Sequence, residues 1–301
     1  MNFLNELKEV LADAVTPEAR RTPAREQMTT NHTDDARRRG GGAGAEVERL
    51  YRDIAVESRY GHYVRIPERI CRCLDYFGVR HERAAVAERL HSYFLFIGVV
   101  DDAIDASRAG AGESVLRRLD ASAPSFDEEA RRTRTGLLTE VLKTHIGPEV
   151  YTPALLKLEE LYGAVVGERG AVTLGAYIER RKAVGRLTTE VSYLLIAPLL
   201  EGGRDGLLGF LRRVGEVGCL VDSVVDLRAD ARAGLLGFRP TARDRLRLAG
   251  LTAYEGLRVL SEHPRLARLF LEAVGDVLLD RLRARRAQHA SDGSVQLEVE
   301  Y

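Results

Sequence analysis

The sequence has no tryptophan, three cysteines and nine prolines, and aromatic residues make up only 6% of its 301 positions. Cys71, Cys73 and Cys219 provide neither a disulfide framework nor the spacing of zinc ligands. No apolar run is long enough to cross a membrane, and the N-terminus lacks the basic region and apolar core of a signal peptide. We therefore expect an intracellular, cytoplasmic protein without a transmembrane segment.

An excess of charge of one sign is also missing, since 45 Lys and Arg residues balance 45 Asp and Glu residues. Without a net field, the composition does not favour nucleic acid or an anionic membrane surface as a partner. The 45% of hydrophobic and 30% of charged residues are typical of a globular chain that buries a sizeable core.

The sequence is instead rich in the helix formers Ala, Leu, Arg and Glu, and it lacks runs that alternate apolar and polar residues. This pattern predicts an all-α fold, a large antiparallel helix bundle. We divide the chain into a short N-terminal helix with a disordered linker (1–45), one helical domain (46–290) and a tail (291–301). Helices are predicted at 46–60, 67–78, 82–106, 126–145, 150–168, 172–200, 204–231, 241–262 and 264–288, with flexible connections at 107–125 and 230–240.

A first group of acids follows the uncharged stretch 94–100 and consists of Asp101, Asp102 and Asp105. On a helix, Asp101 and Asp105 share a face and Asp102 lies beside them. Carboxylates this close repel one another unless a positive charge holds them, and Mg²⁺ prefers such oxygen ligands. The alternative is an acidic helix end in solvent, although acids at a helix C-terminus oppose its dipole.

A second group, Asp222, Asp226 and Asp230, recurs every four residues and so lines one helix face. Like charges at this spacing destabilise a helix by roughly 0.2–0.5 kcal/mol per pair. The apolar residues between them indicate a mostly buried helix whose acids enter a cavity, whereas Arg228 and Arg232 are compatible with a solvated, salt-bridged face. Together, the two acidic groups predict a two-sided Mg²⁺ cage around a diphosphate.

Basic residues lie on the helix that precedes the second acidic group, at Arg180, Arg181, Lys182 and Arg186. Arg and Lys could stabilise the charge that develops on a departing diphosphate. A solvent-facing basic stripe is the alternative. Gly185 in the middle of this helix costs about 1 kcal/mol against Ala, which indicates close approach of a ligand or a kink.

The first acidic group matches the DDxxD motif of the class I isoprenoid synthase superfamily. The stretch 222–230 resembles the second motif of prenyl diphosphate synthases, DDxxDxxxD, with Ser223 in place of the second acid. It equally resembles the DxxxD motif of squalene and phytoene synthases, with Asp226 and Asp230 as the pair. The stretch from Tyr177 to Gly185 resembles the tyrosine-to-glycine helix of those enzymes and the diphosphate-sensing helix of terpene synthases.

The resemblance covers residues 46–288 and implies a helix bundle around a central cavity. It implies that three Mg²⁺ ions and a prenyl diphosphate bind together, and that ionisation leaves an allylic cation among apolar and aromatic side chains. A homodimer is common in that superfamily, although no residue pattern here indicates an interface. The implied metal ligands are Asp101, Asp105, Asp222, Asp226 and Asp230, with Asp102 as a further catalytic acid. The implied substrate-binding residues are Arg180, Arg181, Lys182, Arg186, Tyr177, Phe94 and Tyr193, and Tyr93 and Phe96 are further candidates for lining the pocket.

No branch of the superfamily matches at every motif. Chain-elongating synthases carry an Arg-Arg pair after DDxxD, where this chain has only Arg108, and squalene and phytoene synthases have an arginine where Val225 stands. The comparison favours a terpene synthase with an unusual second motif that takes one allylic diphosphate of 10–20 carbons. The alternatives are a prenyltransferase, a non-catalytic prenyl-diphosphate-binding protein, and a regulatory or structural bundle.

Overall fold

The computed structural model describes residues 43–276 except 107–110, 122, 169, 203–204 and 233. The predicted short N-terminal helix and the tail lie outside the described residues. Within them the chain is mostly helical, which confirms the all-α prediction. None of the helices in this part of the chain combines the length and apolar character that crossing a bilayer requires.

The elements follow one another as a succession of helices with short connections. The α-helices are α1 (Ala43–Ala55), α2 (Gly61–Tyr76), α3 (Arg83–Asp105), α4 (Ala111–Asp120), α5 (Glu128–Arg132), α6 (Arg134–His145), α7 (Tyr151–Glu168), α8 (Leu174–Ile196), α9 (Leu207–Arg232) and α10 (Ala242–Glu262), followed by a helical segment at 267–276. Single 3₁₀ turns cover Ser58–Tyr60, Ala197–Leu199 and Pro264–Leu266. Strands β1 (Arg80–His81) and β2 (Leu200–Glu201) form a short antiparallel pair.

Side-chain caps stabilise the first turns of α3 and α8, two helices that contribute to the candidate site. The Glu82 carboxylate accepts hydrogen bonds from the first backbone N–H groups of α3, and the Thr173 hydroxyl accepts one from Ala176 at the start of α8. Such caps satisfy N–H groups that have no partner within the helix. At the other end, Pro198 lies in the 3₁₀ turn after α8, so the predicted helix 172–200 is shorter than expected.

The predicted flexible connection at 107–125 is wrong for residues 111–120, which form helix α4. The glycines near its start indicated a break, but Gly112 is required by packing. An added Cβ at Gly112 would lie 1.9 Å from Cε2 of Tyr162 on α7. The far end of α4 is held by Lys143, whose buried ammonium donates to the Arg118 carbonyl at 3.0 Å. Tertiary packing therefore stabilises a helix that the local pattern did not predict.

Helix α2 also differs from its prediction, since it begins at Gly61 rather than at Pro67. Proline is common in a first helical turn, which favoured a start at Pro67. Here Pro67 is buried inside the helix, while Tyr63 and Ile66 before it pack against the core. Burial of this earlier face offsets the hydrogen bond that an internal proline removes.

Helices α8 and α9 pack with their backbones in direct contact at Gly185 and Gly215. An added Cβ at Gly185 would lie 2.1 Å from the Gly215 carbonyl oxygen, and one at Gly215 would lie 2.3 Å from that of Gly185. Only glycine permits so close an approach of two backbones. The neighbour that requires Gly185 is therefore helix α9 rather than a ligand.

The chain after α9 turns back against the start of α8. Gly234 adopts a positive φ of 73°, and the Leu235 N–H donates to the Asp230 carbonyl at 2.9 Å, as in a Schellman cap. The Gly237 N–H then donates to the Ala171 carbonyl at 3.1 Å. These contacts hold part of the segment 230–240, which was predicted to be a flexible connection, beside the acidic face of α9.

Candidate functional site

A cavity of about 410 Å³ lies among helices α2, α3, α4, α7, α8, α9 and α10. This volume is within the range of small-molecule sites in proteins. Most lining side chains are aliphatic or aromatic, and the polar ones include carboxylates and the guanidinium groups of Arg69 and Arg181. The predicted site residues that line it are Phe94, Asp101, Tyr177, Arg181, Asp222, Asp226 and Asp230.

Helix α9 presents its three aspartates to this cavity. Asp222, Asp226 and Asp230 are each half-buried and line its wall. Leu220 and Leu227, on another side of the same helix, are almost fully buried. The i, i+4 spacing keeps the three acids on one face, and burial of the opposite side directs that face into the cavity.

The last turn of α3 divides its two adjacent carboxylates between different surroundings. Asp101 lines the cavity, whereas Asp102 is not among the lining residues. The Tyr60 hydroxyl donates to Asp102 at 2.8 Å, and the Arg59 guanidinium lies 3.1 Å from the same carboxylate. Burial, followed by this hydrogen bond, raises the pKa of Tyr60. The side chain of Asp105 lies outside the described part of the structure.

Arg181 is the predicted basic residue that lies in the cavity wall. Its Nε donates to Oγ of Ser223 at 2.9 Å, and its Nη2 donates to the Cys219 carbonyl at 3.4 Å. Ser223 and Cys219 belong to the same helix as the three aspartates and also line the cavity. The structure therefore brings a cationic side chain and the acidic face of α9 together.

The other three predicted basic residues do not line this cavity. Lys182 donates to the Glu255 carboxylate of α10 at 2.8 Å, and Arg186 pairs with Glu216 at 3.4 Å. Arg180 extends toward the turn after α7, where an added Cβ at Gly170 would lie 3.3 Å from its Nη1. Of the four predicted basic residues of α8, Arg181 alone therefore faces the cavity.

The predicted aromatic residues also divide into lining and non-lining positions. Tyr177 is 2% exposed and its hydroxyl donates to Asp230 at 3.5 Å. Phe94 and Phe96 line the cavity as well, whereas Tyr93 and Tyr193 do not. Tyr93 is fully buried and donates to the Thr188 carbonyl at 3.1 Å, a contact of the protein core.

Helix α2 contributes a wall that the sequence analysis did not include in the site. Its lining residues include His62, Ile66, Arg69 and Cys73, which recur at helical spacing and could have been found from that period. Arg69 pairs with the Asp276 carboxylate, and Arg65 Nε lies 3.1 Å from the same group. The predicted start at Pro67 placed half of this face outside the helix.

The cavity reaches an aromatic cluster that is remote in sequence from the acids. Phe210 and His263 line it, and their ring centroids are 4.8 Å apart. Phe77 backs both rings at 5.4 Å from Phe210 and 5.3 Å from His263. Along α9, Phe210 is three turns from Asp222, or about 18 Å at the helical rise. The aspartates therefore form an acidic part of the cavity. Phe210 and His263 form an aromatic part, distant from Asp222, which we call the aromatic floor.

The two cysteines of α2 do not supply a nucleophile to this site. Cys73 lines the cavity, but burial, followed by the neighbouring thiol of Cys71, raises its pKa to about 12. Burial similarly raises the pKa of Cys71 to about 11. The thiolate is the reactive form, so these groups are inert at neutral pH.

The donor set of the acidic part suits a hard cation, since carboxylate oxygens are the protein ligands that Mg²⁺ prefers. Among residues 43–276, the undescribed gaps excepted, no three His, Cys, Asp or Glu side chains converge closely enough to hold a metal ion alone. Mg²⁺ commonly takes only one or two carboxylates and completes its shell with water and substrate phosphates. The carboxylates of Asp101, Asp222, Asp226 and Asp230 fit that mode of binding.

Comparison of the chain with family models, curated proteins and solved structures finds no match. The resemblance to isoprenoid synthases therefore rests on the sequence motifs alone.

Proposed function

We propose that this protein is a Mg²⁺-dependent class I terpene synthase with the isoprenoid-synthase type of helix bundle around its cavity. It would ionise one allylic prenyl diphosphate of 10–20 carbons and convert the cation into a cyclic or linear terpene. The observation that carries the proposal is one cavity lined by Asp101, the three aspartates of α9 and Arg181, with a mostly apolar remainder.

The acidic part would hold the diphosphate. Asp101, Asp222, Asp226 and Asp230 would bind Mg²⁺, with Asp105 as a further ligand by its place in the motif. When bound, Mg²⁺ neutralises the diphosphate oxygens and so stabilises the leaving group. Arg181 would donate hydrogen bonds to the same oxygens as negative charge develops on them.

The apolar part would hold the hydrocarbon chain and the cation formed from it. Its aliphatic walls would keep water away from the cation, which water would otherwise capture. Phe94 and Phe96 present aromatic side chains to the cavity, and ring faces attract cations. Phe210 lies about 18 Å along α9 from Asp222 and packs against His263, which leaves room for an extended chain between the acids and this aromatic pair.

The direct test is incubation of the purified protein with Mg²⁺ and geranyl, farnesyl or geranylgeranyl diphosphate alone. We expect diphosphate release and a hydrocarbon or alcohol product identified by mass. If D101A and D226A both turn over substrate at the rate of the unmodified protein, the assignment of the metal ligands is wrong. Binding of a prenyl diphosphate without turnover would instead indicate a non-catalytic binding protein.

A condensing prenyltransferase is the second candidate, and the basic residues of α2 favour it. Arg69 lines the cavity and Arg65 lies one turn earlier on the same helix, both beside Asp276. Such a pair could bind the diphosphate of a second substrate. Product that forms only after isopentenyl diphosphate is added would support this reaction and contradict the synthase.

A further inference from the structure

Ser223 occupies the position in the second motif where the resembling synthases carry an acid, and its hydroxyl makes two hydrogen bonds. Ser223 is 1% exposed. Its Oγ donates to the Cys219 carbonyl at 2.7 Å and accepts from Arg181 Nε at 2.9 Å. A hydroxyl has one hydrogen to donate, so the bond to Cys219 orients its lone pairs toward the guanidinium.

The close crossing of α8 and α9 makes this contact possible. Arg181 precedes Gly185 by one helical turn, and Ser223 follows Gly215 by about two turns. Because the two glycine backbones touch, the Arg181 side chain reaches across α9 and also donates to the Cys219 carbonyl at 3.4 Å. Two atoms of the guanidinium are therefore held by consecutive turns of the helix that carries the aspartates.

We propose that Ser223 is a positioning residue that holds the Arg181 guanidinium in the orientation needed to bind the diphosphate. The bond to Oγ is neutral, so Ser223 fixes the guanidinium without adding a carboxylate that would compete with the ligand for its charge. A long side chain that rotates freely loses entropy when it is fixed by binding, and a pre-oriented guanidinium avoids that cost. This inference rests on the proposed function, since the anion is taken to be the diphosphate group.

The test measures binding of inorganic diphosphate to the full chain by calorimetry at a fixed Mg²⁺ concentration. We expect S223A to weaken binding about tenfold, the usual effect of losing a hydrogen bond to a charged group. S223T keeps the hydroxyl, and threonine in a helix can still bond the carbonyl four residues earlier, so binding should stay within about threefold. In an R181A background, S223A should cause no further loss, because the two residues act through one contact.

Ser192 provides the matched control. It is also 1% exposed, donates to the Thr189 carbonyl of its own helix at 2.8 Å, and does not line the cavity. S192A should therefore bind diphosphate like the unmodified protein. If S223A and S192A have the same affinity, or if S223A lowers affinity equally with and without Arg181, the inference is overturned.

Two further measurements distinguish a failure to fold from a loss of the contact, and the inference from the proposed function. Should S223A fail to fold, R181K carries the test, because it keeps the charge, loses the Nε hydrogen bond and should also bind about tenfold more weakly. Affinity unchanged in R181K would overturn the inference. Diphosphate binding that depends on Ser223 in a protein that turns over no prenyl diphosphate would support the inference and refute the proposed synthase.

Discussion

The acids at the end of α3 and those on α9 differ in their spacing along the helix, and therefore in how many of them face the cavity. At the end of α3, Asp101 and Asp102 are adjacent and so diverge by about 100° around the helix. One lines the cavity and the other binds Tyr60 and Arg59. On α9, the spacing of four residues keeps Asp222, Asp226 and Asp230 on one face, and all three line the cavity. Spacing, rather than the number of acids, thus decides how many carboxylates reach the site.

The strongest test of this comparison removes one carboxylate from each helix. We expect D101A and D226A each to lower turnover of the preferred prenyl diphosphate at least about 100-fold, since each removes an electrostatic partner of the leaving group. The measurement is the rate of diphosphate release at saturating Mg²⁺.

Asp102 is the matched control for that pair, because it adjoins Asp101 but faces Tyr60. D102A should keep turnover within about tenfold of the unmodified protein, because the Asp102 carboxylate does not line the cavity and binds Tyr60 and Arg59 instead. Equal losses in D101A and D102A would contradict the division of the two carboxylates.

A second prediction concerns the contact that places α9 beside α8. In G185A, the new Cβ would meet the Gly215 carbonyl of a rigid backbone, so we expect a loss of about 3 kcal/mol in the free energy of unfolding, measured with urea. Gly209 on α9 has no atom within 4 Å of an added Cβ. G209A should therefore be neutral or stabilising by up to about 1 kcal/mol, and equal destabilisation by both changes would refute the close crossing.

The aromatic floor extends the comparison to the apolar end of the cavity. F210A should shift the preference among prenyl diphosphates toward the longer chain by about tenfold in kcat/KM, since added apolar room is worth this much discrimination. Leu207 on the same helix is fully buried but does not line the cavity. L207A should lower stability without changing the preference, and a shift in L207A alone would place the floor elsewhere.

The smallest effect is expected from a change to the contacts of Asp102 with Tyr60 and Arg59 at the end of α3. D102N replaces an ionised acceptor of the Tyr60 hydroxyl by a neutral one, and it loses the charge that Arg59 pairs with. Because Asp102 is about half exposed, solvent weakens that ion pair, so the unfolding free energy should fall by only about 1 kcal/mol. An unchanged urea midpoint would mean that these contacts do not stabilise the end of α3.

The sequence predicted these features unequally, for physical reasons. The helices and the shared face of Asp222, Asp226 and Asp230 follow from local periodicity, which a single sequence contains. The partner of Asp102, the contact of Gly185 with Gly215 and the bond from Arg181 to Ser223 join residues between 30 and 42 positions apart, and no local pattern encodes them. Helix α4 was not predicted because Gly112 resembles a helix break in the sequence. In the structure this glycine makes room for the Tyr162 ring.

If the cavity binds and ionises an allylic diphosphate with Mg²⁺, as we propose, the protein releases diphosphate from farnesyl diphosphate. We expect Mg²⁺-dependent release with a terpene product from farnesyl diphosphate alone, abolished in a D222N/D226N double variant that folds normally. Release that continues in that variant, or no release from any allylic diphosphate by the folded protein, would contradict it.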